Sequence, residues 1–165
     1  MGFATLEPAF TVRLQPDVGL NVGKLSQGDT LTVFPIPSGT IKSEPGFPID
    51  LDAEVVHGAD YARMEAGQTH LQINVNAVAK NKDGSLFAYS YKGMLEITQE
   101  LMPILTGSPD AKTTSYGNAV SHVRFETGAE SLKPLEHSIF VGTAHFVVLG
   151  PGKFIVETKV SKVVG

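Results

Sequence analysis

Three ionisable side chains stand where acid–base chemistry could be assembled. Asp60 lies in His57-Gly58-Ala59-Asp60-Tyr61, just past the strand-like run 53–57. A carboxylate at a strand end beside Tyr61 suits the mouth of a barrel, and an Asx turn accounts for Asp60 equally well. Arg124 and Glu126 share one face of residues 120–127 with His122, while Val123, Phe125 and Thr127 take the other. As an exposed pair they would contribute well under about 1 kcal/mol. Inside a pocket they would form a paired acid–base element with shifted pKa values.

Candidates for holding a substrate flank this set. Residues 70–78 alternate strictly, with His70, Gln72, Asn74 and Asn76 on one face and Leu71, Ile73, Val75 and Ala77 on the other. Either the polar face meets water or it turns inward, so that Asn74 and Asn76 fix a ligand by hydrogen bonds. Phe87, Tyr89 and Tyr91 form a one-sided aromatic stripe that serves either as core or as a pocket wall stacking on a flat substrate. The five histidines, His57, His70, His122, His137 and His145, show no His-x-His spacing and read as scattered. No metal is expected, although strands can bring distant histidines into a three-ligand site. Neither a Gly-x-Gly-x-x-Gly motif nor a phosphate loop, a Gly-x-Ser-x-Gly elbow or a His-Glu-x-x-His motif occurs, so no cofactor is expected.

The elements that must position these groups are β-rich. Residues 10–14, 30–36, 53–57, 70–78, 86–91, 120–127, 138–149 and 153–160 read as strands, punctuated by 17 glycines and 10 prolines. Lys82-Asp83-Gly84 predicts a hairpin turn between two of them. Ile97, Leu101, Ile104 and Leu105 fall at helical spacing, and Pro103 predicts a helix confined to about 97–102. A loop to about residue 117 follows and is a candidate lid. Eight to ten strands, one short helix and no βαβ rhythm predict an all-β fold: an antiparallel, closed or nearly closed, lipocalin-like barrel spanning 1–165 as one domain. A two-sheet sandwich is the alternative.

At 165 residues with 42% hydrophobic content, the chain can bury a sizeable core. The absence of cysteine excludes disulfides, thiolate metal sites and cysteine nucleophiles. A formal charge of -4 argues against nucleic acid as a partner. No apolar run approaches a membrane span of roughly 20 residues. The first residues carry no positive start or long apolar stretch, so a cytoplasmic location is expected. Apolar residues on both faces of 141–148 make a homodimer plausible.

The order of motifs resembles the domain-of-unknown-function 3237 family, also called uncharacterised protein family 0311. The resemblance runs through Phe10-Thr11-Val12-Arg13, Pro37-Ser38-Gly39-Thr40, Gly58-Ala59-Asp60-Tyr61, Asp83-Gly84 and Gly93. It is most specific at Arg124-Phe125-Glu126-Thr127-Gly128 and Ser138-Ile139-Phe140-Val141-Gly142-Thr143. It implies a small β-barrel in which Asp60, Arg124 and Glu126 occupy motif positions. Tyr61 stands where the family commonly has Trp, Asn74 and Asn76 where it tends to place Asp and Arg, and Glu136-His137 where it often has Asn and Arg. Members in fungal secondary-metabolite clusters resemble cofactor-free cyclases acting on prenylated aromatic polyketides. The resemblance therefore implies a cyclase or isomerase, with Asp60, Arg124 and Glu126 catalytic and Tyr61, Asn74, Asn76, Phe87, Tyr89, Tyr91, His122 and His137 around a hydrophobic aromatic substrate. A non-catalytic small-molecule carrier using the same pocket is the other reading.

Overall fold

Alternation along each strand gives a sheet one dry face and one wet face, and closing the sheet puts the dry face inside. The computed structural model, which describes residues 2–165, follows that logic. In chain order the strands are β1 (Thr5–Gln15), β2 (Leu20–Lys24), β3 (Thr30–Pro35), β4 (Ser38–Ser43), β5 (Asp52–Met64), β6 (His70–Asn81), β7 (Leu86–Glu96), β8 (Ala119–Thr127), β9 (Phe140–Gly150) and β10 (Lys153–Val164). A one-turn helix α1 (Met102–Leu105) precedes β8, and a 3-10 segment (Glu130–His137) precedes β9.

Every pairing is antiparallel. The order β2-β3-β5-β4-β1-β10-β9-β8-β7-β6 closes through an additional β5–β6 pairing. The result is an eight-stranded barrel with two extra strands. The thirteen-residue β5 is long enough to pair with β4 along its first residues and with β3 along its last. The β2–β3 hairpin thus extends the wall at one end. The hairpin between β6 and β7 turns at Lys82-Asp83-Gly84 as expected: Gly84 takes φ +88° and Asp83 Oδ1 accepts from Ser85 N–H at 2.9 Å.

The two ends of the barrel are filled differently. One is solid. Phe10, Phe87, Tyr89, Phe125 and Phe140 are each at most 2% exposed. Their rings interlock, with centroids 5.3 Å apart for Phe10 and Phe125 and 5.2 Å for Phe125 and Phe140. Leu132 and Leu135 of the 3-10 segment plug that end, together with Phe47 and Leu51. Each such side chain contributes about 1.5–3 kcal/mol when fully buried.

The other end is covered by the connection between β7 and β8. Its helix lies at 102–105 and not at 97–102. Pro103 opens the helix because a first-turn proline gives up only an N–H that would have no partner there. β2, β4 and the 3-10 segment were not expected from the sequence. The run Pro35-Ile36-Pro37 looks like a stop, yet the chain resumes as β4 immediately beyond it. No helix among the described residues is long and apolar enough to cross a membrane.

Candidate functional site

The barrel is hollow where its inward side chains are small. Gly93 of β7, Ser121 of β8 and Gly142 of β9 are direct cross-strand partners. Ala119 and Ala144, partners of each other, occupy the neighbouring inward row. The two glycines have no room for a side chain. A Cβ on Gly93 would lie 2.2 Å from the Val120 carbonyl oxygen, and one on Gly142 would lie 2.7 Å from Thr158 Cγ2. Beside this bare wall lies a cavity of about 70 Å³, lined by Leu14, Phe34, Ile73, Phe146, Phe154 and Val156 among others.

Four polar side chains reach the lining: Asp60, Tyr91, Ser121 and Thr158. Asp60 comes from β5, flanked in register by Phe34 on β3 and Val75 on β6. The β5–β6 ladder pairs Asp60 with Val75 and Arg63 with Gln72; between those pairs, Asn74 N–H donates to Asp60 Oδ1 at 3.0 Å. Burial pushes the Asp60 carboxyl up to about 6, and the hydrogen bond from Asn74 only partly opposes it. Tyr91 is held well above the usual phenol value, first by burial and then by the neighbouring Tyr89 and Asp60. It therefore stays a neutral hydroxyl near neutral pH. Thr158 is 2% exposed and its Oγ1 has no hydrogen-bond partner.

A lid covers part of the cavity. Leu105 of α1 lines it, and Leu101 and Ile104 pack with Leu95, Ala119, Ala144 and Phe146. The lid's tail is pinned along β9, beyond the point where β8 stops pairing. Thr114 N–H donates to the Phe146 carbonyl, and Phe146 N–H donates to Thr114 Oγ1, both at 3.0 Å. Outside the barrel, Tyr116 stacks on His145 at 3.9 Å and donates its hydroxyl to Glu157 Oε1 at 2.8 Å. His145 stands between the Thr114 carbonyl and Glu157, 3.0 Å from each. Arg13 closes the cluster with an ion pair to Glu157. Burial alone would raise Glu157. Hydrogen bonds from His145 and Tyr116, with the Arg13 charge, outweigh it and hold the carboxyl below its usual value.

The expected site residues separate under this geometry. Asp60 and Tyr91 meet at the cavity, whereas Phe87 and Tyr89 are sealed in the aromatic core. Arg124 and Glu126 do not join Asp60. They point outward from β8, with side chains 76% and 59% exposed and 3.9 Å apart. The expectation that they share a pocket with Asp60 is corrected by strand parity, because Val123 and Phe125 take the inward positions. Parity also turns Asn74, Asn76 and His122 outward, where they flank a surface groove with Ser90, Lys92 and Arg124. Tyr61 does not share Asp60's face either. Because β5 runs on to Met64, successive residues alternate, and Tyr61 is 45% exposed. His137 is exposed on the 3-10 segment at the plugged end. No group of three metal-ligating side chains forms among the described residues.

Sequence reasoning missed Ser121, Thr158 and the lid anchors Tyr116, His145 and Glu157. A usable signal existed for the cavity: Gly93 and Gly142 fall at inward positions of strands whose other inward residues are mostly large.

This architecture has relatives. The profile of the DUF3237 family, proteins of unknown function, matches residues 4–163. The chain belongs to that family. Solved structures share the fold. A conserved protein of unknown function from Rhodopseudomonas palustris has a TM-score of 0.76 at 19% identity, covering 99% of each chain. A beta-barrel like protein from Acinetobacter baumannii has a TM-score of 0.75 at 20% identity, covering 99% of this chain and 98% of that one. An enzyme from Penicillium herquei has a TM-score of 0.63 at 16% identity, covering 98% and 95%. No curated protein sequence matches the chain significantly.

Proposed function

We propose that this DUF3237 barrel moves its lid to admit a hydrophobic phenolic molecule, which is larger than the cavity of about 70 Å³ under the lid as it stands, and cyclises it without a cofactor, adding the phenol hydroxyl across an alkene of a prenyl-type chain. The observation that carries this reading is a carboxyl buried in a largely apolar cavity together with the Tyr91 hydroxyl, where burial raises the carboxyl to about 6. Asp60 is the one charged residue on that lining among the described residues. The addition breaks an O–H bond and a carbon–carbon π bond, and makes a C–O and a C–H bond. No atom or electron is left over. One carboxyl can manage both proton movements: in its acid form Asp60 protonates the alkene carbon, and the resulting carboxylate takes the phenol proton as oxygen closes on the cation. A group poised between its two forms suits this exchange.

The Tyr91 hydroxyl, kept neutral by burial, supplies a hydrogen bond to the phenol oxygen. The apolar wall folds the chain so that oxygen and alkene lie in contact, which by itself lowers the barrier by several kcal/mol, on the order of measured proximity effects. Arg124 and Glu126 have no part in this scheme. A fold neighbour named as an enzyme supports catalysis on this architecture.

A carrier is the second reading, favoured by how little polar surface lines the cavity and by the pinned lid above it. Incubating the purified protein with prenylated phenols, without cofactor, separates the two. Conversion to an isomer of unchanged mass is expected. Tight binding without turnover would establish the carrier, and absence of both would overturn the cavity as a ligand site.

A further inference from the structure

A cavity of about 70 Å³ admits no phenol until its lid moves, so what holds the lid matters as much as what lines the cavity. The lid is tied into one piece. Ser115, near its tail, gives its N–H and its hydroxyl to the Glu100 carboxylate at 3.0 and 3.1 Å, which joins the tail to the turn leading into α1. The root lies where Glu96 N–H donates to the Asn118 carbonyl at 2.9 Å, and Gly117, at φ +115°, gives the chain a pivot beside it. Beyond that pivot the tail meets the outer wall through Thr114 and Tyr116, and both converge on His145 of β9.

We propose that His145 is a proton-operated latch: as the imidazolium it donates to the Thr114 carbonyl and to the Glu157 carboxylate at once and holds the lid shut, and on losing its proton it gives up one of the two bonds and releases the lid. The geometry is that of a double donor. Nδ1 lies 3.0 Å from the Thr114 carbonyl oxygen and Nε2 lies 3.0 Å from Glu157 Oε1. Carbonyl and carboxylate oxygens only accept, and a neutral imidazole has a single N–H, so its bare nitrogen would face an oxygen lone pair. The other charged groups around the ring hold still in mild acid and at neutral pH. Glu157 of β10 is kept below its usual value and stays a carboxylate, and Arg13 of β1, paired with it, stays a cation. Tyr116 of the lid, raised by burial and then by its hydrogen bond to Glu157, stays a neutral donor. Glu44, just past β4, adds a carboxylate near Tyr116 and is itself paired with Lys159 of β10. Histidine is the side chain that ordinarily changes charge between pH 5 and 8. As a gate the latch rests on the cavity being the ligand site; as a contact it does not. Entry is therefore shut in mild acid and freed as the pH rises.

Amide exchange of the full chain at about pH 5 and pH 8 tests the latch, read as protection factors so that the intrinsic pH dependence of exchange is removed. Residues 97–117 are expected to be about 10-fold better protected at the lower pH, with the amides of β1 and β10 changing less than about 2-fold. His145→Gln, which cannot take up the proton, should flatten the lid's profile to within about 2-fold. The Asp60 carboxyl under the lid, raised to about 6, titrates in the same interval, so Asp60→Asn separates the two groups and should leave the lid's pH dependence in place. Equal lid protection at both pH values, a difference that survives His145→Gln, or one that vanishes with Asp60→Asn overturns the latch. Stopped-flow association of 4-butylphenol should run about 10-fold faster at the higher pH in the wild-type protein and lose that difference in His145→Gln. A pH-dependent lid on a protein that binds no phenol at either pH upholds the latch and overturns the cavity as the ligand site.

Discussion

Asp60 and Tyr89 are both buried polar groups, and they should respond to substitution in a way that exposes their different costs. The Asp60 carboxyl is raised from 3.8 to about 6, so the folded state binds its proton more tightly than the unfolded chain does. Its contribution to stability is fully present below pH 3.8 and is lost as pH rises through about 6. Asp60→Asn keeps an oxygen for the Asn74 N–H and removes the buried charge. It should stabilise the protein at pH 7.5 by up to about 3 kcal/mol, with the advantage gone below pH 4, as read from urea melts across that range. If Asp60 donates a proton in its acid form, turnover should also fall about tenfold per pH unit above 6. The Tyr89 hydroxyl is fully buried and unpartnered. Tyr89→Phe should therefore leave stability unchanged or raise it by about 1 kcal/mol; a loss of 2 kcal/mol or more would reveal a partner for that oxygen.

Among the elements, the lid and the bare wall make separate predictions. Thr114→Val removes the acceptor for Phe146 N–H, and Glu157→Gln weakens the cluster of Tyr116, His145 and Arg13. Both should accelerate amide exchange across residues 97–117 while the amides of β1 and β10 stay protected. The Glu157 effect has the opposite pH sign to that of Asp60. A lowered carboxyl adds stability above its unfolded value of 4.5 and loses it in acid, so Glu157→Gln should matter at pH 7 and little at pH 3. On the wall, Gly93→Ala drives a Cβ into a backbone oxygen and should cost about 3 kcal/mol in a thermal or denaturant melt. The strands, hairpin turn and lid were legible because alternation, Asp-Gly and a polar loop each have a local physical cause. β2 and β4 were not, since their residues are weak β-formers held by pairing to β3, β1 and β5. The same alternation showed which residues share a face, but not which face lies inside. That choice belongs to closure of the whole sheet, and it sent Arg124, Glu126, Asn74 and Asn76 outward.

At the scale of the molecule, one closed sheet does two jobs by changing side-chain size along its axis. Large aromatic residues make one end a core that stabilises the fold, and Gly93, Ser121, Gly142, Ala119 and Ala144 leave the other end hollow beneath a lid. Asp60 stands at a strand end in the sequence and lines the cavity at the hollow end, whereas Ser121 and Thr158 look like any small inward residues until the cavity exists. Chemistry and stability are thereby assigned to different ends, and substitutions of Asp60 or Tyr91 should change function while leaving the aromatic core intact. Turnover of a prenylated phenol by wild-type protein, Asp60→Asn and Arg124→Ala at pH 6, followed by chromatography with mass detection, tests this most directly. Equal rates within about 2-fold are predicted for the wild-type protein and Arg124→Ala, with Asp60→Asn slower by about 10²-fold. A folded Asp60→Asn protein that works as fast as the wild type, or one that stays active while Arg124→Ala is dead, would contradict the account.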